Sequence, residues 1–440
     1  MGSRNGDLSG DAEVDNGSRA SWPSASQLDE LREAVAEAAG WLRQRIDIRV
    51  VAAPYRICPL GAHIDHQGGA VTAMALDTGI LLGFVPSNSP EVRLTSRQFG
   101  GVVHFSVDDV PPQNDPSSSE EGRWGDYARG AVYALQQKGH VLKEGIIGII
   151  DGSQGFDCSG VSSSAATGVA FLLALEYANG LYSITEEDNI ELDRVIENEY
   201  LGLRNGVLDQ SAILLSRKDR LTLIDCKTRQ HRVVDPPSLR QPCSDSSLKP
   251  GYRILLAFSG LRQALTNTPG YNKRVDECQE AAATLLRAAG RADEKASLSN
   301  VSSEEYDMHR EELNGAIARR AKHFFTETAR VRRGVEAWEK GDLKLFGQLM
   351  TDSGRSSIEN YECGSTPLIQ MYQILISTPG VLGARFSGAG FRGCCIALVE
   401  SQRAEAVTKQ VRNGYSMVRP DLGKSAAFVL CESGDGAVVL

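Results

Sequence analysis

The sequence predicts an α+β protein built in two lobes. Three observations carry this. Short apolar runs of strand character alternate with amphipathic helical patterns irregularly, without the steady rhythm of a parallel α/β sheet. At 440 residues the chain is long enough for two or three packed units. Residues 229–250 hold four prolines and several serines, a composition suited to a linker. The expected organisation is a disordered tail over 1–25, an N-terminal domain over 26–228, a linker over 229–250 and a C-terminal domain over 251–440.

Each element has its own signal. Residues 1–25 are polar and lack the apolar stretch of a secretory signal. Residues 26–46 place Leu28, Leu31, Val35, Leu42 and Ile46 on one helical face, with Ser26 and Asp29 as a capping box. Residues 47–53 alternate as a strand that Pro54 interrupts, and 72–84 and 92–96 read as further strands. A polar loop at 111–122 precedes a helix over 127–137 and a buried strand over 145–151. The glycine- and serine-rich turn 152–164 opens into an alanine-rich helix, 165–178. Thr185 and Asp188 cap a helix carrying Ile190, Leu192, Val195 and Ile196, and 221–225 reads as a strand. Beyond the linker come a strand at 253–258, helices over 271–288 and 306–339, a strand–loop–helix run near 382–412 and a last strand near 426–430.

Composition narrows the function. The net charge is −9 with both signs mixed along the chain, which argues against nucleic acid or an anionic membrane as the main partner. The longest apolar stretches are too short to span a bilayer. Nine scattered cysteines without a C-x-x-C pair suit a reduced, cytoplasmic chain and oppose a zinc site. Small-molecule partners remain.

Two stretches carry chemistry on their own terms. In 160–166, Gly-Val-Ser-Ser-Ser-Ala-Ala opens a helix, so small residues, unpaired N–H groups and the positive dipole end could face an anion. Taken alone it reads first as a serine-rich cap without a ligand. Asp209 lies among Val207, Leu208 and Ile213, an apolar setting that favours a functional acid, whereas Glu197 alone reads as a solvated residue.

Residues 53–69, Ala-Pro-Tyr-Arg-Ile-Cys-Pro-Leu-Gly-Ala-His-Ile-Asp-His-Gln-Gly-Gly, resemble the signature of galactokinases in the GHMP family of small-molecule kinases, A-P-G-R-x-N-L-I-G-E-H-x-D-Y-x-G-G. Residues around 160–165 resemble the second GHMP motif, P-x-x-G-G-L-S-S-S-A, with Cys158, Ser159 and Val161 as departures. Residues 197–210 resemble E-x-x-x-x-G-x-x-x-G-I-M-D-Q without a gap, and 383–394 resemble the third motif, with Arg392 replacing a glycine. Leu261-Arg262 resembles V-R of a further galactokinase run.

The resemblance implies a two-lobed GHMP-kinase fold with the active site between the lobes, ATP as donor and Mg²⁺ as cofactor. It implies that Asp209 faces the anomeric hydroxyl as base and that Arg56 faces both Asp209 and the reacting oxygen. It places Gly160, Ser162, Ser163, Ser164 and Ala165 on the phosphates, Arg262 as a further phosphate contact and Trp124 near the nucleotide base. Glu197 with one of Ser163 and Ser164 would hold the metal. His63, Asp65 and Tyr271 would contact sugar hydroxyls. His66 replaces a tyrosine and is read as structural, and Arg392 as pointing to solvent.

Ala62 is the informative departure. In galactokinases a glutamate at this place accepts a hydrogen bond from the 6-hydroxyl. A methyl group removes a charge and opens volume, so a sugar whose C6 is a carboxylate fits. Two carboxylates about 4 Å apart repel by roughly 1–4 kcal/mol, depending on the local dielectric. The expected reaction is therefore phosphorylation of D-galacturonic acid at C1, giving galacturonate 1-phosphate for nucleotide-sugar salvage. Ala62 is thus a substrate-pocket residue, and Arg204 a candidate partner for the C6 carboxylate. The alternatives are phosphorylation of galactose or of arabinose, which has no C6, and a catalytically silent sugar sensor. Oligomeric state is not legible.

Overall fold

The computed structural model describes residues 22–40, 48–98, 101–111, 124–152, 160–240, 251–261, 270–390 and 393–440. Most of the expected tail, residues 1–21, lies outside them.

In chain order the first lobe comprises α1 (Ala25–Ala38), β1 (Arg49–Ile57), β2 (Ala70–Pro86), β3 (Glu91–Ser96), β4 (Val102–Ser106), α2 (Gly125–Gln137), β5 (Ile146–Asp151), α3 (Ser163–Ala178), α4 (Glu186–Val195), α5 (Leu208–Leu215), β6 (Leu221–Asp225), β7 (Gln230–Val234) and α6 (Pro237–Arg240). The second comprises β8 (Tyr252–Phe258), α7 (Gly270–Ala288), α8 (Ser303–His309), α9 (Gly315–Glu339), α10 (Leu343–Glu359), α11 (Thr366–Ser377), β9 (Val381–Phe386), β10 (Cys394–Glu400), α12 (Ala404–Val418) and β11 (Ala427–Cys431), followed by the short β12 (Ser433–Gly434) and β13 (Val438–Val439). Mixed helices and sheets in two packed bodies are the α+β architecture the sequence predicts.

Among the described residues, nine strands form the first sheet, in the order β13-β1-β2-β5-β3-β4, with β12, β6 and β7 branching from β2 and β6. The second sheet is β11-β8-β10-β9, antiparallel throughout. Helix α3 is apolar nearly all round and sits in the core, with Val169, Phe171 and Leu172 fully enclosed. Long β2 explains the branching: its 17 residues outrun any one partner, so β1, β5, β6 and β12 share its edges.

Three expectations need correction. Helix α1 is capped by Ser24, whose side chain accepts from Gln27 N–H while Gln27 reaches back, so the capping box lies two residues before Ser26 and Asp29. Residues 229–250 are not open linker at their start, because Gln230–Val234 pairs with β6; residues 241–250 lie outside the described set. Finally, the C-terminal residues do not all stay with the second lobe: β12 and β13 return to pair with β2 and β1 of the first sheet.

One buried acid outside the site makes a stability prediction. Glu176 on α3 is 7% exposed, and burial lifts its carboxyl to about 7 despite the amide of Asn189 donating to it at 3.2 Å. A carboxyl raised in the folded state costs nothing below its unfolded value, and its cost grows as pH rises from there toward the folded value. The Glu176→Gln variant should therefore match wild type near pH 4 and be more stable at pH 8, by on the order of 2–3 kcal/mol. Denaturant unfolding at both pH values measures this; an equal effect at both would refute it.

Candidate active site

The loop between β1 and β2 is shaped by backbone that few residues tolerate. Gly61 has φ +97°, and a Cβ there would lie 2.6 Å from the Val71 Cα. His63 is left-handed without being glycine, at φ 64°, an arrangement costing about 1–2 kcal/mol. Its ring compensates by stacking on Tyr361, centroids 4.3 Å apart and 8° from parallel, with Cys363 Sγ 3.5 Å from Nε2. Just upstream, the β1–β2 register shifts between Pro54 and Arg56, an irregularity of the kind that re-aims a side chain.

Arg56, 3% exposed, brings the motifs together. Its Nε and Nη2 lie 2.8 Å and 2.7 Å from Asp209 Oδ1. Its Nη1 reaches toward the Gly160 carbonyl at 3.4 Å and Ser387 Oγ at 3.5 Å. Burial alone would depress the guanidinium's pKa; the pairing with Asp209 outweighs that and raises it.

The phosphate-loop residues sit between β5 and α3. Ser162 precedes α3 in a left-handed conformation, φ 59°, and its buried Oγ has no hydrogen-bond partner. Gly160 and Gly388 press together: a Cβ on Gly388 would meet the Gly160 Cα at 2.9 Å. The third motif thus closes backbone-on-backbone over the second, and Ala165 is buried behind them. The Ser164 side chain lies beside Glu197 and Tyr127, whereas the Ser163 carbonyl accepts from Thr167 Oγ1 at 2.7 Å.

Glu197 lies on a single π-helical segment, Ile196–Tyr200, that follows α4; such segments recur at functional sites. It is fully buried; Oε2 accepts from Asn205 Nδ2 at 3.1 Å and Oε1 has no partner. Burial first, then the charge of Asp209, lifts it to about 7. Asp193, one turn earlier, escaped the sequence reading. Both its oxygens are buried without partners, and burial with the Glu197 charge pushes it well above the carboxylate range. Gly168 makes room for it, since a Cβ there would sit 2.1 Å from Asp193 Oδ1. Burial and the Asp209 charge also raise Asp65, to about 6.

These acids crowd one end of the site, and unpartnered, water-excluded carboxylate oxygens beside a serine hydroxyl are the hard oxygen donors that suit Mg²⁺. Among the described residues no three of His, Cys, Asp and Glu form a complete cage. A partial protein set is compatible with Mg²⁺, which usually keeps waters and substrate phosphates as its other ligands.

The remaining expected residues divide. Ala62 is buried in the β1–β2 loop at 6% exposure, and Asp65 opens the short helical turn beside it. His66 bonds Tyr361 Oη at 3.1 Å and the Gln67 amide at 3.1 Å, a structural role. Trp124 packs in the core with an unpartnered indole N–H. Tyr271 is the second residue of α7. Arg262 and Arg392 lie outside the described residues. Arg204 is committed elsewhere, paired with Asp276 at 2.6 Å and Gln279 at 3.1 Å on the outer face of α7, which removes it as the obvious carboxylate partner.

Comparison with known proteins identifies the class. Residues 126–217 match the GHMP kinases N terminal domain, and residues 335–416 match the GHMP kinases C terminal domain. The chain belongs to the GHMP kinase family. It is 54% identical over 96% of its length to the galacturonokinase of Arabidopsis thaliana, all of which is covered. It is 31% identical to the galactokinase of Clostridium perfringens strain SM101, over 88% of this chain and 94% of that one. Among solved structures, Lactococcus lactis galactokinase complexed with galactose superposes with a TM-score of 0.81 at 28% identity, covering 94% of this chain and 99% of that one.

Proposed function

We propose that this ATP-dependent sugar kinase transfers the γ-phosphoryl group of ATP to the C1 hydroxyl of D-galacturonic acid. The observation that carries the substrate is Ala62: a buried methyl group stands in the sugar loop where galactokinases carry a carboxylate, while Arg56, His63, Asp65, Glu197 and Asp209 are all retained.

The mechanism follows from the chain's own groups. The sugar C1 hydroxyl lies at Asp209, whose carboxylate accepts the proton as the oxygen attacks phosphorus. Arg56 spans Asp209 and the phosphate loop, so its charge stabilises the incipient alkoxide. Gly160, Ser162 and the N-terminus of α3 hold the phosphates, with Trp124 toward the base; the family resemblance adds Arg262 as a phosphate contact. His63, Asp65 and Tyr271 orient the sugar ring. Glu197 with one of Ser163 and Ser164 would hold Mg²⁺, Ser164 being the serine whose side chain lies beside Glu197. When bound, that ion spreads charge over the phosphates. We place the reaction in the cytoplasm, in salvage of a sugar acid into nucleotide sugars; the described cysteines are free thiols, in keeping with a reducing compartment.

The test is competition among galacturonate, galactose, arabinose and glucuronate at equal concentration with MgATP, read as sugar 1-phosphates. Galacturonate should lead by about tenfold or more in kcat/KM, the equivalent of about 1.4 kcal/mol. An equal or higher rate with galactose or arabinose would reject the substrate. No product from any sugar would favour a silent sensor.

A further inference from the structure

The sugar loop belongs to the first lobe, yet the backbone on both sides of Ala62 is held by the second. His323 on α9 places Nε2 3.0 Å from the Ala62 carbonyl oxygen. A carbonyl can only accept, so Nε2 carries the proton. Nδ1 must then accept from Ser356 Oγ, 2.9 Å away, and that hydroxyl oxygen in turn accepts from Asn360 Nδ2 at 3.0 Å. Burial holds the ring down to about 4, so it stays in the neutral form this relay needs. One turn along α9, Glu327 Oε1 accepts the Gly61 N–H at 2.8 Å and Ser353 Oγ at 2.6 Å. Against its burial, Arg330 at 2.6 Å and Arg385 hold Glu327 ionised, with its pKa down to about 2.

Ala62 thus sits between two left-handed residues, Gly61 and His63, with an external bond on the N–H before it and on its own carbonyl. Strained backbone of this kind persists only where its surroundings over-determine it. Nothing within the loop itself supplies those two bonds. All the donors and acceptors concerned are fully buried or nearly so, with His323 1% and Glu327 0% exposed, so water does not substitute for them.

We propose that His323 and Glu327 are positioning residues for the sugar: they fix the two peptides that flank the Gly61–Ala62 unit, Leu60–Gly61 through its N–H and Ala62–His63 through its carbonyl, and thereby where residue 62 stands against C6 and where His63 is aimed. This rests on the reading of the loop as the sugar site, but not on which sugar enters it. It makes selectivity at residue 62 a property of both lobes, since the helix that holds the loop lies in the second.

Steady-state kinetics of His323→Phe, His323→Gln and Ser356→Ala test this, using whichever sugar wild type turns over fastest, so that an error in substrate identity does not affect the outcome. His323→Phe should raise the sugar KM about tenfold and leave the ATP KM within about twofold. His323→Gln keeps an N–H donor for the Ala62 carbonyl and should recover most of the loss. Ser356→Ala removes the acceptor's partner without touching the loop and should raise the sugar KM by about threefold. A sugar KM unchanged in Ser356→Ala and His323→Phe, or sugar and ATP KM rising together, would overturn the proposal. Should His323→Phe not fold, Ser356→Ala decides: an unchanged sugar KM there overturns it.

Discussion

Asp209→Asn should lower kcat by about 10²–10⁴-fold, the range for a positioned general base, while ATP binding stays close to wild type. Both Arg56 contacts fall on Oδ1, which leaves Oδ2 for the sugar hydroxyl. An amide keeps the shape and one acceptor for Arg56 but has no basic site for the proton. The alternative of truncating Arg56 is less informative. It would strip the cation from a cluster that already holds Asp65, Asp193 and Glu197 raised by mutual repulsion and burial, so lost folding would mingle with lost chemistry. Asp209→Asn relieves that repulsion instead, so the variant is expected to remain folded. Single-turnover kinetics, with nucleotide affinity measured separately, decide the matter; an unchanged rate would remove Asp209 from the role of base.

The sequence was informative wherever a function needs contiguous residues. Arg56 through Asp65, Gly160 through Ala165 and Glu197 through Asp209 each lie within one short stretch of chain, so the resemblance to the family motifs groups them. The structure adds that one guanidinium touches the second and third groups at once, through Gly160 and Asp209. What stayed hidden acts across the lobes. His323 and Glu327 lie 261 and 266 positions from their loop partners, Ala62 and Gly61, and on α9 they look like polar residues of an ordinary amphipathic helix. The one available signal was their i, i+4 spacing on the same helical stripe as the buried Phe324 and Val331, where a charge needs a partner. Asp193 was missed for a similar reason: only the facing Gly168, 25 positions away, shows that space is kept for its carboxyl. The two last strands, which return to the first sheet, were not read at all, because two-residue pairings such as Val438–Val439 carry no periodicity.

Ala62→Glu should exchange the preference of the enzyme: galacturonate should lose kcat/KM by about tenfold to 10³-fold, and galactose should lose much less or gain. The sign comes from charge. At about 4 Å, two carboxylates repel by roughly 1 kcal/mol in a water-like dielectric and about 4 kcal/mol at an effective dielectric of 20. The surroundings favour the upper part of that range. Ala62 is 6% exposed, and Asp65, three residues on, is already pushed to about 6 by burial and by one neighbouring acid. Galactose offers a hydroxyl instead, which can donate to the new carboxylate. The same burial makes the effect depend on pH in a defined direction. A buried carboxyl facing another anion takes up a proton more readily, so the penalty on galacturonate should shrink at pH 6 relative to pH 8. A steric origin would be indifferent to pH. Because His323 and Glu327 hold the backbone of residue 62 from α9, the introduced side chain cannot easily swing its attachment point away, which keeps the charge where the sugar's C6 must pass. Kinetics with both sugars at the two pH values separate the cases: equal losses for galacturonate and galactose, unchanged between pH 6 and 8, would mean that residue 62 acts by packing and that the uronic acid is recognised elsewhere.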